Sequence, residues 1–570
     1  MVERIEVQAS RFWPYAIAAI LFVALLLRLQ HIHDPLLDHP NWRQGDTASI
    51  ARNFATLQYN VLYPQTDYDG PPPNYVELEL QILPFLAATL YKLFGVHEIF
   101  GRLLAVAFSL GTISVVALFA RALYESALAG IVAAAFFAVF PGSVYYGRTF
   151  TPDIVMVFFL TAALYACFKL LVGPSTSLVA NATRSLGMTR ARLSAVAGAT
   201  LLLTLAYLAK PVAVLAIVPV AGMMWQRSRE NGTTSRQTGL ATSWRELASF
   251  AVLLIVPLVV LWLYDRAVNA HAEWHWASGI TRLHVLPALA ASFSSLRGFA
   301  HKVHLFFDTL GLLRATVLGN VAFALTILAC AAIPWTRARS SFLLWGWLVA
   351  GLIYAFIVVT VERVDYYLLP LLPLAALVLG GAVALATSRT RSWIAPTLAA
   401  ALTLAVLFDG HAAIARYYRY DHTAYANAVL LSRTLPLHAL IVMGHYGPDV
   451  LYYIDRFGWE EDPLLWTPFD EESAIRKGAR YYVSVEDNRL RANGDLCAWL
   501  QRFPVRIVGT WRVYDTDPAL VPRSAEPFWD AFRRADRAGK GRAFLDSHKV
   551  CLRSHPPVRK AMAAAGASRS

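Results

Sequence analysis

Long apolar runs, separated by short polar segments, recur through roughly the first 410 residues of the chain. An apolar run of about twenty residues is long enough for a helix that crosses a lipid bilayer. We therefore predict a polytopic α-helical membrane protein with about eleven membrane-spanning helices. The predicted spans are approximately 11–30, 101–120, 127–145, 154–172, 193–209, 212–225, 248–264, 316–335, 342–360, 367–386 and 393–408.

The pattern changes beyond position 409, where the apolar stretches shorten and the charged residues become more frequent. Strand-like and helix-like segments then alternate, as in ALIVMGH, DVLYYIDRFGW and EESAIRKGARYYVSV. Such alternation predicts a small α/β domain. We divide the chain into a membrane domain at 1–409 with a first outer loop at 31–100, an α/β domain at 410–555, and a disordered tail at 556–570.

The composition supports a membrane protein, because 57% of the residues are hydrophobic and only 16% are charged. The formal net charge of +13 could indicate a nucleic-acid-binding protein, but the basic residues mostly lie in short segments between the apolar runs. That placement is typical of topology signals in a bilayer, and we expect no nucleic acid as a partner. The four cysteines exclude a disulfide-built scaffold, although Cys497 and Cys551 could pair outside the cell.

The basic residues also predict an orientation. If the N-terminus is cytoplasmic, every inner loop is basic, as at Arg121, Arg337 and Arg389, whereas the outer connections carry a mixture of acids and bases. An odd number of spans then places the α/β domain on the outer side. The charge rule does not explain the outer acids, so these residues are candidates for function.

The polar segment NWRQGDTASIARNF, at 41–54, follows the first apolar run directly and contains one carboxylate, Asp46. Arg43 and Arg52 lie near it in the sequence. We expect these charges at the water boundary of the membrane, where ionised groups can persist. The alternative is structural: Asp-Thr-Ala-Ser before an apolar run is also typical of a helix N-cap.

Two further acids are predicted at outer ends of membrane segments, Glu79 in YVELELQ and Asp153 in YYGRTFTPD. A carboxylate beside a span is usually kept for a partner or a task. Asp153 follows a proline and would also suit the first turn of a helix. The cations on the same side include Arg148 and Lys210. Lys210 could simply extend to the interface, or it could hold an anion such as the phosphate of a lipid carrier.

A third constellation is the segment ERVDYYLLPLLP, which places Asp365, Tyr366 and Tyr367 at an outer span end, where tyrosines are common in any case. Several histidines lie in the outer loop that begins near 265, and His275 is a candidate metal ligand. His271 and His275 also have the spacing of one helix face, so a metal set of Glu79, Asp153 and His275 is only one interpretation.

In this order and spacing, a set of seven motifs resembles that of bacterial GT-C membrane glycosyltransferases: WRQGDTASIARNF, ELQILPFLAATLYKLFG, GR at 101–102, YYGRTFTPD, LAKP, DYYLLPLLP and LYYIDRFGW. This group is related to the protein O-mannosyltransferases and the lipid A aminoarabinose transferase. The resemblance covers roughly residues 10 to 410. It implies an enzyme of the bacterial inner membrane, with a periplasmic C-terminal domain, that transfers a sugar from a polyprenyl-phosphate donor in the membrane lipid to an acceptor on the outer face.

The resemblance also implies roles for individual residues. Asp46 would be the general base and Glu79 and Asp153 would complete the acidic pocket. Residues that would hold the donor phosphate or line its pocket are Arg43, Arg52, Arg148, Lys210, Asp365, Tyr366 and Tyr367. A single displacement would invert the anomeric centre.

Two departures from the family pattern concern the donor pocket and any metal site. The family often has Phe-Pro where this chain has Leu80-Gln81, and a histidine where it has Asp365. No cofactor is certain, and dependence on a divalent metal ion stays open. The acceptor stays open as well, with a protein, lipid A, a polysaccharide and a glycolipid all compatible.

The alternative function is transport or flipping of a lipid-linked sugar. A transporter should show internal repeats, interrupted helices in matching positions and ionisable residues near mid-membrane. This chain shows none of these features clearly, and its outer charges cluster at one face. We therefore favour the transferase.

Overall fold

The computed structural model describes residues 2–172, 186–238, 244–390 and 393–520, with 530–531, 534–535, 537–540 and 543–544. The predicted tail at 556–570 and Cys551 lie outside the described residues. The chain divides into two compact units. Unit 1 comprises Met1–His33, Asn60–Tyr63 and Glu77–Tyr418, and unit 2 comprises Asp34–Tyr59, Pro64–Val76 and the chain from Arg419 onward.

Unit 1 is almost entirely helical. Its α-helices are Val2–Leu29, Ile82–Phe94, Ile99–Tyr124, Ala127–Val139, Pro141–Tyr146, Asp153–Leu171, Leu186–Ala209, Ile217–Thr238, Trp244–Asn269, Ala277–Gly279, Leu286–Phe293, Leu296–Leu312, Asn320–Ala331, Ser341–Tyr354, Thr360–Glu362, Leu371–Arg389 and Ile394–Ile414. Its π-helical turns are Ile280–Val285, Leu313–Leu318 and Ala355–Val359. Its 3-10 turns are Pro211–Ala216, Ile333–Trp335, Asp365–Leu368 and Ala415–Tyr418. The short strand β2 (Trp274–His275) is also present, and a second short strand, β1 (Val76–Glu77), contains the point in the sequence where unit 2 ends and unit 1 resumes.

Eight helices in the described part of the chain are long and apolar enough to cross a membrane, or nine if one bent pair counts as a single span. The eight coincide with the predicted spans 11–30, 101–120, 154–172, 193–209, 248–264, 342–360, 367–386 and 393–408. This agreement supports a multi-pass membrane protein.

The three remaining predicted spans differ from the structure for identifiable reasons. The segment 127–145 is split at Pro141, which begins a new short helix because proline suits a first helical position. The segment 212–225 begins as a 3-10 turn and continues into a helix whose second half is polar. The segment 316–335 breaks at Gly319, whose φ of 82° is accessible to glycine, and the helices on either side meet at 112°.

Small residues bring the helices of unit 1 close together. A Cβ atom on Gly130 would lie 2.6 Å from the carbonyl oxygen of Ala117, and one on Gly380 would lie 2.5 Å from that of Ala129. These contacts join Ala127–Val139 to Ile99–Tyr124 and to Leu371–Arg389. Close backbone approach at small residues is the usual way in which membrane helices pack.

Unit 2 contains the helix Asn41–Thr56 and a mixed sheet with helices around it. The strands are β3 (Leu440–Met443), β4 (Gly458–Glu460), β5 (Ala479–Ser484), β6 (Val505–Val508) and β7 (Trp511–Asp515). The helices of the C-terminal part are His422–Thr434, Pro448–Ile454, Pro468–Arg476, Asp487–Ala492 and Gly494–Leu500, and a 3-10 turn follows at Pro518–Leu520.

The sheet order is β4-β3-β5-β7-β6, with β3, β4 and β5 parallel and β7 antiparallel to both of its neighbours. Val442, Tyr482, Trp499 and Tyr514 form part of its buried core. Cys497 in this unit is disulfide-bonded, whereas its predicted pairing with Cys551 stays a prediction.

Candidate functional site

The cation Lys210 forms an ion pair with Asp153 in unit 1. Asp153 is the first residue of the helix Asp153–Leu171, and Lys210 follows the helix Leu186–Ala209 in an extended conformation. Pro211 explains that helix end, because the residue before a proline is disfavoured in helical conformation. Asp153 is fully buried, and its Oδ2 atom accepts no hydrogen bond from any described residue.

The rings of two tyrosines lie beside the same ammonium group. The Nζ atom of Lys210 is 4.2 Å from the ring centroid of Tyr367 and 5.4 Å from that of Tyr366. A cation at these distances interacts favourably with the ring faces. The structure thus brings together four of the predicted site residues, which lie at three separate places in the sequence.

Asp365, the neighbour of these tyrosines, has a different environment from the one predicted. Its carboxylate accepts hydrogen bonds from the hydroxyls of Tyr146 at 2.6 Å, Thr316 at 2.8 Å and Tyr417 at 2.5 Å. Asp365 is 5% exposed, so these three bonds compensate its burial. Sequence reasoning did not identify these three hydroxyl residues as partners of Asp365, because each lies at least 49 positions away from it.

We call the group of Asp153, Lys210, Tyr366 and Tyr367 the Lys210 cluster. An apolar groove lies next to it. Its walls include Met156 from the helix that Asp153 begins, Val212 from the turn after Lys210, and Trp347 and Tyr354 from the helix Ser341–Tyr354. The rings of Tyr354 and Tyr367 are 6.3 Å apart. The cluster therefore combines a cation and a carboxylate with an adjoining hydrocarbon-like surface.

Arg148 is fully buried in unit 1 and donates a hydrogen bond to the carbonyl oxygen of His31 at 3.1 Å. Its guanidinium lies 4.6 Å from the ring of Tyr418 and 5.1 Å from that of Tyr145. Arg102 donates to the same His31 oxygen, also at 3.1 Å. Arg102 belongs to the short motif GR of the sequence analysis, which assigned it no role.

Two acids lie in and just after β1, and both are buried: Glu77 and Glu79. The carboxylate of Glu77 accepts hydrogen bonds from the backbone and the hydroxyl of Ser278. His275 is exposed in the two-residue strand β2, so the interpretation that it shares a helix face with His271 is wrong. Among the described residues, no group of three or more His, Cys, Asp or Glu side chains could hold a metal ion, and the set Glu79, Asp153 and His275 is not assembled.

Asp46 lies in unit 2, inside the helix Asn41–Thr56 and 1% exposed. The residue before this helix is Pro40, so the interpretation of Asp46 as an N-cap is wrong. Its Oδ2 atom accepts a hydrogen bond from Arg43 at 2.7 Å, and its Oδ1 atom accepts one from the hydroxyl of Tyr68 at 2.9 Å. Burial, followed by the charge of Asp46, raises the pKa of Tyr68 well above its usual value. The phenol therefore remains a donor.

Arg52, in the same helix, binds two other acids. It contacts Asp67 at 2.5 Å and Asp455 at 2.7 Å, and its guanidinium lies 4.4 Å from the ring of Tyr452. Asn53 also donates to Asp67, at 2.9 Å. Arg52 thus joins the helix Asn41–Thr56 to the 64–76 segment and to the helix Pro448–Ile454, all within unit 2.

The turn-rich segment TDYDGPPPN brings a second carboxyl group into the electrostatic range of Asp46. Burial, and then the negative charge of Asp46, raise the pKa of Asp69 to about 7. Asp69 has a φ of 74°, an unusual value for a residue other than glycine. Burial also raises the pKa of Glu460, at the end of β4, to about 9. The sequence reasoning missed Tyr68, Asp69 and Glu460, of which the first two lie in a polar segment rich in turn-forming residues.

The turn HYGPD after β3 carries His445, whose Nδ1 atom is 3.1 Å from Glu486 and whose Nε2 atom is 3.7 Å from Asp449. Burial opposes the charge on this imidazole, but its interactions with the carboxylates of Asp449 and Glu486 outweigh burial and raise its pKa to about 10. Asn41 donates to the other oxygen of Asp449 at 2.8 Å. The turn is therefore a polar junction between the sheet and the helix Asn41–Thr56.

Comparison with known proteins places this geometry in context. Residues 82–262 match the family model described as dolichyl-phosphate-mannose-protein mannosyltransferase. No curated protein matches the chain. The structure is similar to that of ArnT from Cupriavidus metallidurans bound to undecaprenyl phosphate, with a TM-score of 0.54, 14% identity, and coverage of 89% of this chain and 99% of ArnT. The apo state of the same ArnT gives a TM-score of 0.51 and 15% identity, with 90% and 99% coverage.

At these identities the structural similarity shows the fold alone, and the fold is that of ArnT. The family-model match and the fold together confirm the predicted resemblance to GT-C membrane glycosyltransferases. The individual site residues are tested by neither comparison.

Proposed function

We propose that this protein is a glycosyltransferase that moves a sugar from a polyprenyl-phosphate donor to an acceptor hydroxyl on the outer face of the membrane. The observation that carries the proposal is the Lys210 cluster beside the apolar groove. A lipid with a phosphate head needs a cation next to a hydrocarbon-like surface, and this cluster offers both. The fold of ArnT, a structure of which contains undecaprenyl phosphate, supports the same donor class.

The resting ion pair suits a site that exchanges partners. Lys210 is neutralised by Asp153, so an incoming phosphate would share or replace that contact rather than enter beside an uncompensated buried charge. The two tyrosine rings would hold the ammonium group in place during this exchange. The Oδ2 atom of Asp153, which has no donor among the described residues, could accept a hydroxyl of the donor sugar.

In the reaction that we propose, Asp46 is the general base. The acceptor oxygen attacks the anomeric carbon, its proton passes to Asp46, and the bond from that carbon to the phosphate oxygen breaks. Polyprenyl phosphate leaves as an anion, and one displacement inverts the anomeric centre. Arg43 and Tyr68 occupy one position on each carboxylate oxygen of Asp46. Each oxygen has a second lone pair, so both donors orient the base without preventing it from accepting a proton.

The test is sugar transfer from a short-chain polyprenyl-phosphate sugar by the purified full-length protein and its Asp46→Asn variant. Loss of a general base should lower turnover about a hundredfold or more. Asp421→Asn is the matched control, because Asp421 caps the helix His422–Thr434 in unit 2 and asparagine caps helices equally well. Full activity of Asp46→Asn would refute the role of Asp46. Lipid binding without transfer to any acceptor would favour the transport alternative.

A further inference from the structure

The helix Leu296–Leu312 lies outside the proposed catalytic machinery, and its exposed side carries an unusual arrangement of residues. The helix continues through the π-helical turn Leu313–Leu318 to Gly319, where the chain bends by 112° into Asn320–Ala331. Asn320–Ala331 packs against Leu371–Arg389 and Ile394–Ile414, both of which contain candidate spans. Two helices that meet at this angle cannot both follow the membrane normal. Leu296–Leu312 therefore runs steeply across the direction of the bundle.

The depth of this helix follows from what it packs against. It contacts Ala355–Val359 and Thr360–Glu362, the last turns of the candidate span Ser341–Glu362. The buried Lys302 donates a hydrogen bond to the carbonyl oxygen of Ile357 at 3.4 Å, which anchors the helix there. The end of a span marks the boundary between hydrocarbon and water. The helix thus lies across the end of a span, at the level of the lipid head groups.

The residues of this helix fall into three sectors when they are placed at 3.6 residues per turn. Lys302 and Thr309 form the buried sector that faces unit 1. Next to it lies an exposed apolar sector with Leu296 (88% exposed), Phe299 (42%) and Phe307 (64%). Beyond that lies an exposed polar sector with Arg297, His301 and His304. Apolar and basic sectors side by side on an exposed surface are typical of a helix that lies in the plane of a membrane interface.

The segment around this helix is predominantly positively charged. From 277 to 319 the only acidic residue is Asp308, whereas the fixed cations are Arg282, Arg297, Lys302 and Arg314. Asp308 lies 3.3 Å from His304, and Glu362 of the neighbouring turn lies 3.0 Å from His284. The three arginines are exposed. We call the exposed apolar residues Leu296, Phe299 and Phe307, together with Arg282 and Arg297, the interfacial surface.

We propose that the interfacial surface binds the head groups of anionic phospholipids, with its apolar residues among the acyl chains and its arginines on the phosphates. Its charge complements such lipids, and the depth of the helix places Arg297 where the phosphates lie. Arg282 lies in the turn Ile280–Val285, which packs against Thr360–Glu362 at the same span end. This binding does not depend on the proposed transferase activity. A protein that transfers no sugar would bind the same lipids.

The test is hydrogen exchange of the amides of 296–312 in the full-length protein, reconstituted in nanodiscs of phosphatidylcholine alone or with phosphatidylglycerol. We expect slower exchange when phosphatidylglycerol is present, because each basic residue contributes to binding an anionic surface. The double variant Arg282→Gln/Arg297→Gln should lose most of this difference in exchange rate between the two nanodiscs. Each arginine strengthens binding to the anionic surface by about fivefold. Arg433→Gln is the matched control, since Arg433 is an exposed arginine in unit 2.

Phe299→Ser/Phe307→Ser tests the apolar sector and should speed exchange in both kinds of nanodisc. Equal exchange of the wild type in the two compositions would overturn the proposal, and so would a composition effect that survives the double arginine substitution. Slower exchange on addition of a small fraction of polyprenyl phosphate, with no response to phosphatidylglycerol, would also overturn it. In that case the surface would bind the donor carrier rather than bulk lipid.

Discussion

Two buried aspartates, one in each unit, are bound in opposite ways. Asp153 in unit 1 pairs with a lysine, and its second oxygen accepts no hydrogen bond from a described residue. Asp46 in unit 2 has a donor on each oxygen, from Arg43 and Tyr68. Lysine is a flexible point charge, whereas the planar arginine fork and the phenol ring fix a direction. Asp153 is thus arranged for exchange of partners, and Asp46 for a constant orientation.

The largest expected effect is a loss of stability when the ion pair of Asp153 and Lys210 is broken. Lys210→Met would leave the fully buried Asp153 without its cation, and breaking a buried pair in this way costs about 3–5 kcal/mol. The double variant Asp153→Asn/Lys210→Met should recover most of that stability, because neither charge remains buried. Thermal unfolding of the detergent-solubilised proteins measures both effects.

Binding of polyprenyl phosphate separates function from stability in this experiment. The double variant should be as stable as the wild type within about 1–2 kcal/mol, yet it should bind the lipid poorly, since its cation is gone. Tight lipid binding by a stable double variant would show that Lys210 does not hold the phosphate.

A smaller effect, on turnover, is expected when the hydrogen bond that orients Asp46 is removed. Tyr68→Phe removes one hydrogen bond to an ionised group, a bond worth about 1.5–3 kcal/mol. Turnover should fall by roughly tenfold to a hundredfold, while the KM for the donor changes little. Tyr75→Phe is the matched control, because Tyr75 donates to the amide side chain of Gln58 in the same unit. A change in KM alone would contradict an orienting role for Tyr68.

Sequence reasoning singled out both Asp153 and Lys210, though not their pairing, whereas it missed Tyr68, which orients Asp46. Asp153 and Lys210 stand next to long apolar runs, where a charged residue is conspicuous. Tyr68 and Asp69 lie in a polar segment, and the contact of Tyr68 with Asp46 depends on how that segment folds back over 22 positions.

Some elements of the fold could likewise be predicted from the apolar pattern of the sequence, and others could not. The eight long helices follow from the length of the apolar runs. The helix Asn41–Thr56 was predicted as a loop, because its buried face is polar and shows no apolar periodicity. The bend at Gly319 was missed because the apolar pattern continues across it.

The stability of unit 2 should also depend on pH, and its buried carboxyl groups determine the direction of this dependence. Burial raises the pKa of Glu471 to about 8, whereas its value in the unfolded chain is about 4.3. The folded form then binds more protons between these values, so stability is highest below the lower one and falls as the pH rises towards 8. Glu461, with a pKa of about 8, and Glu460, with one of about 9, act in the same direction.

Glu471→Gln tests this dependence. The glutamine cannot ionise but can still accept the hydrogen bond that Trp466 donates at 2.7 Å. The slope of unfolding free energy against pH should become shallower by at most about 1.4 kcal/mol per pH unit. Hydrogen exchange of β3 and β5 in the full-length protein at pH 5.5 and 8 measures it, with Glu472→Gln as a less buried neighbour for control. An unchanged slope would mean that Glu471 does not titrate in this range.

The smallest effect is expected at the carboxylate beside the Lys210 cluster. Thr316→Val removes one of three hydroxyl donors to Asp365 and keeps the shape of the side chain. Loss of one such bond should cost about 1–2 kcal/mol. Asp365 directly precedes Tyr366 and Tyr367, and Thr316 lies in the π-helical turn before the bend at Gly319. Weakening this bond should therefore loosen the position of the tyrosine pair over Lys210.

The measurement is the affinity for polyprenyl phosphate together with turnover. If Asp365 positions the tyrosines, Thr316→Val should weaken lipid binding by about fivefold to thirtyfold with little change in turnover at saturating donor. Thr326→Val is the matched control, since Thr326 lies beyond the bend in the helix Asn320–Ala331 and contributes no bond to Asp365. Equal lipid affinity in the two variants would mean that Asp365 only stabilises the fold. Weaker binding in Thr316→Val alone would show that the carboxylate, though it does not contact Lys210 itself, maintains the aromatic surroundings of that exchangeable cation.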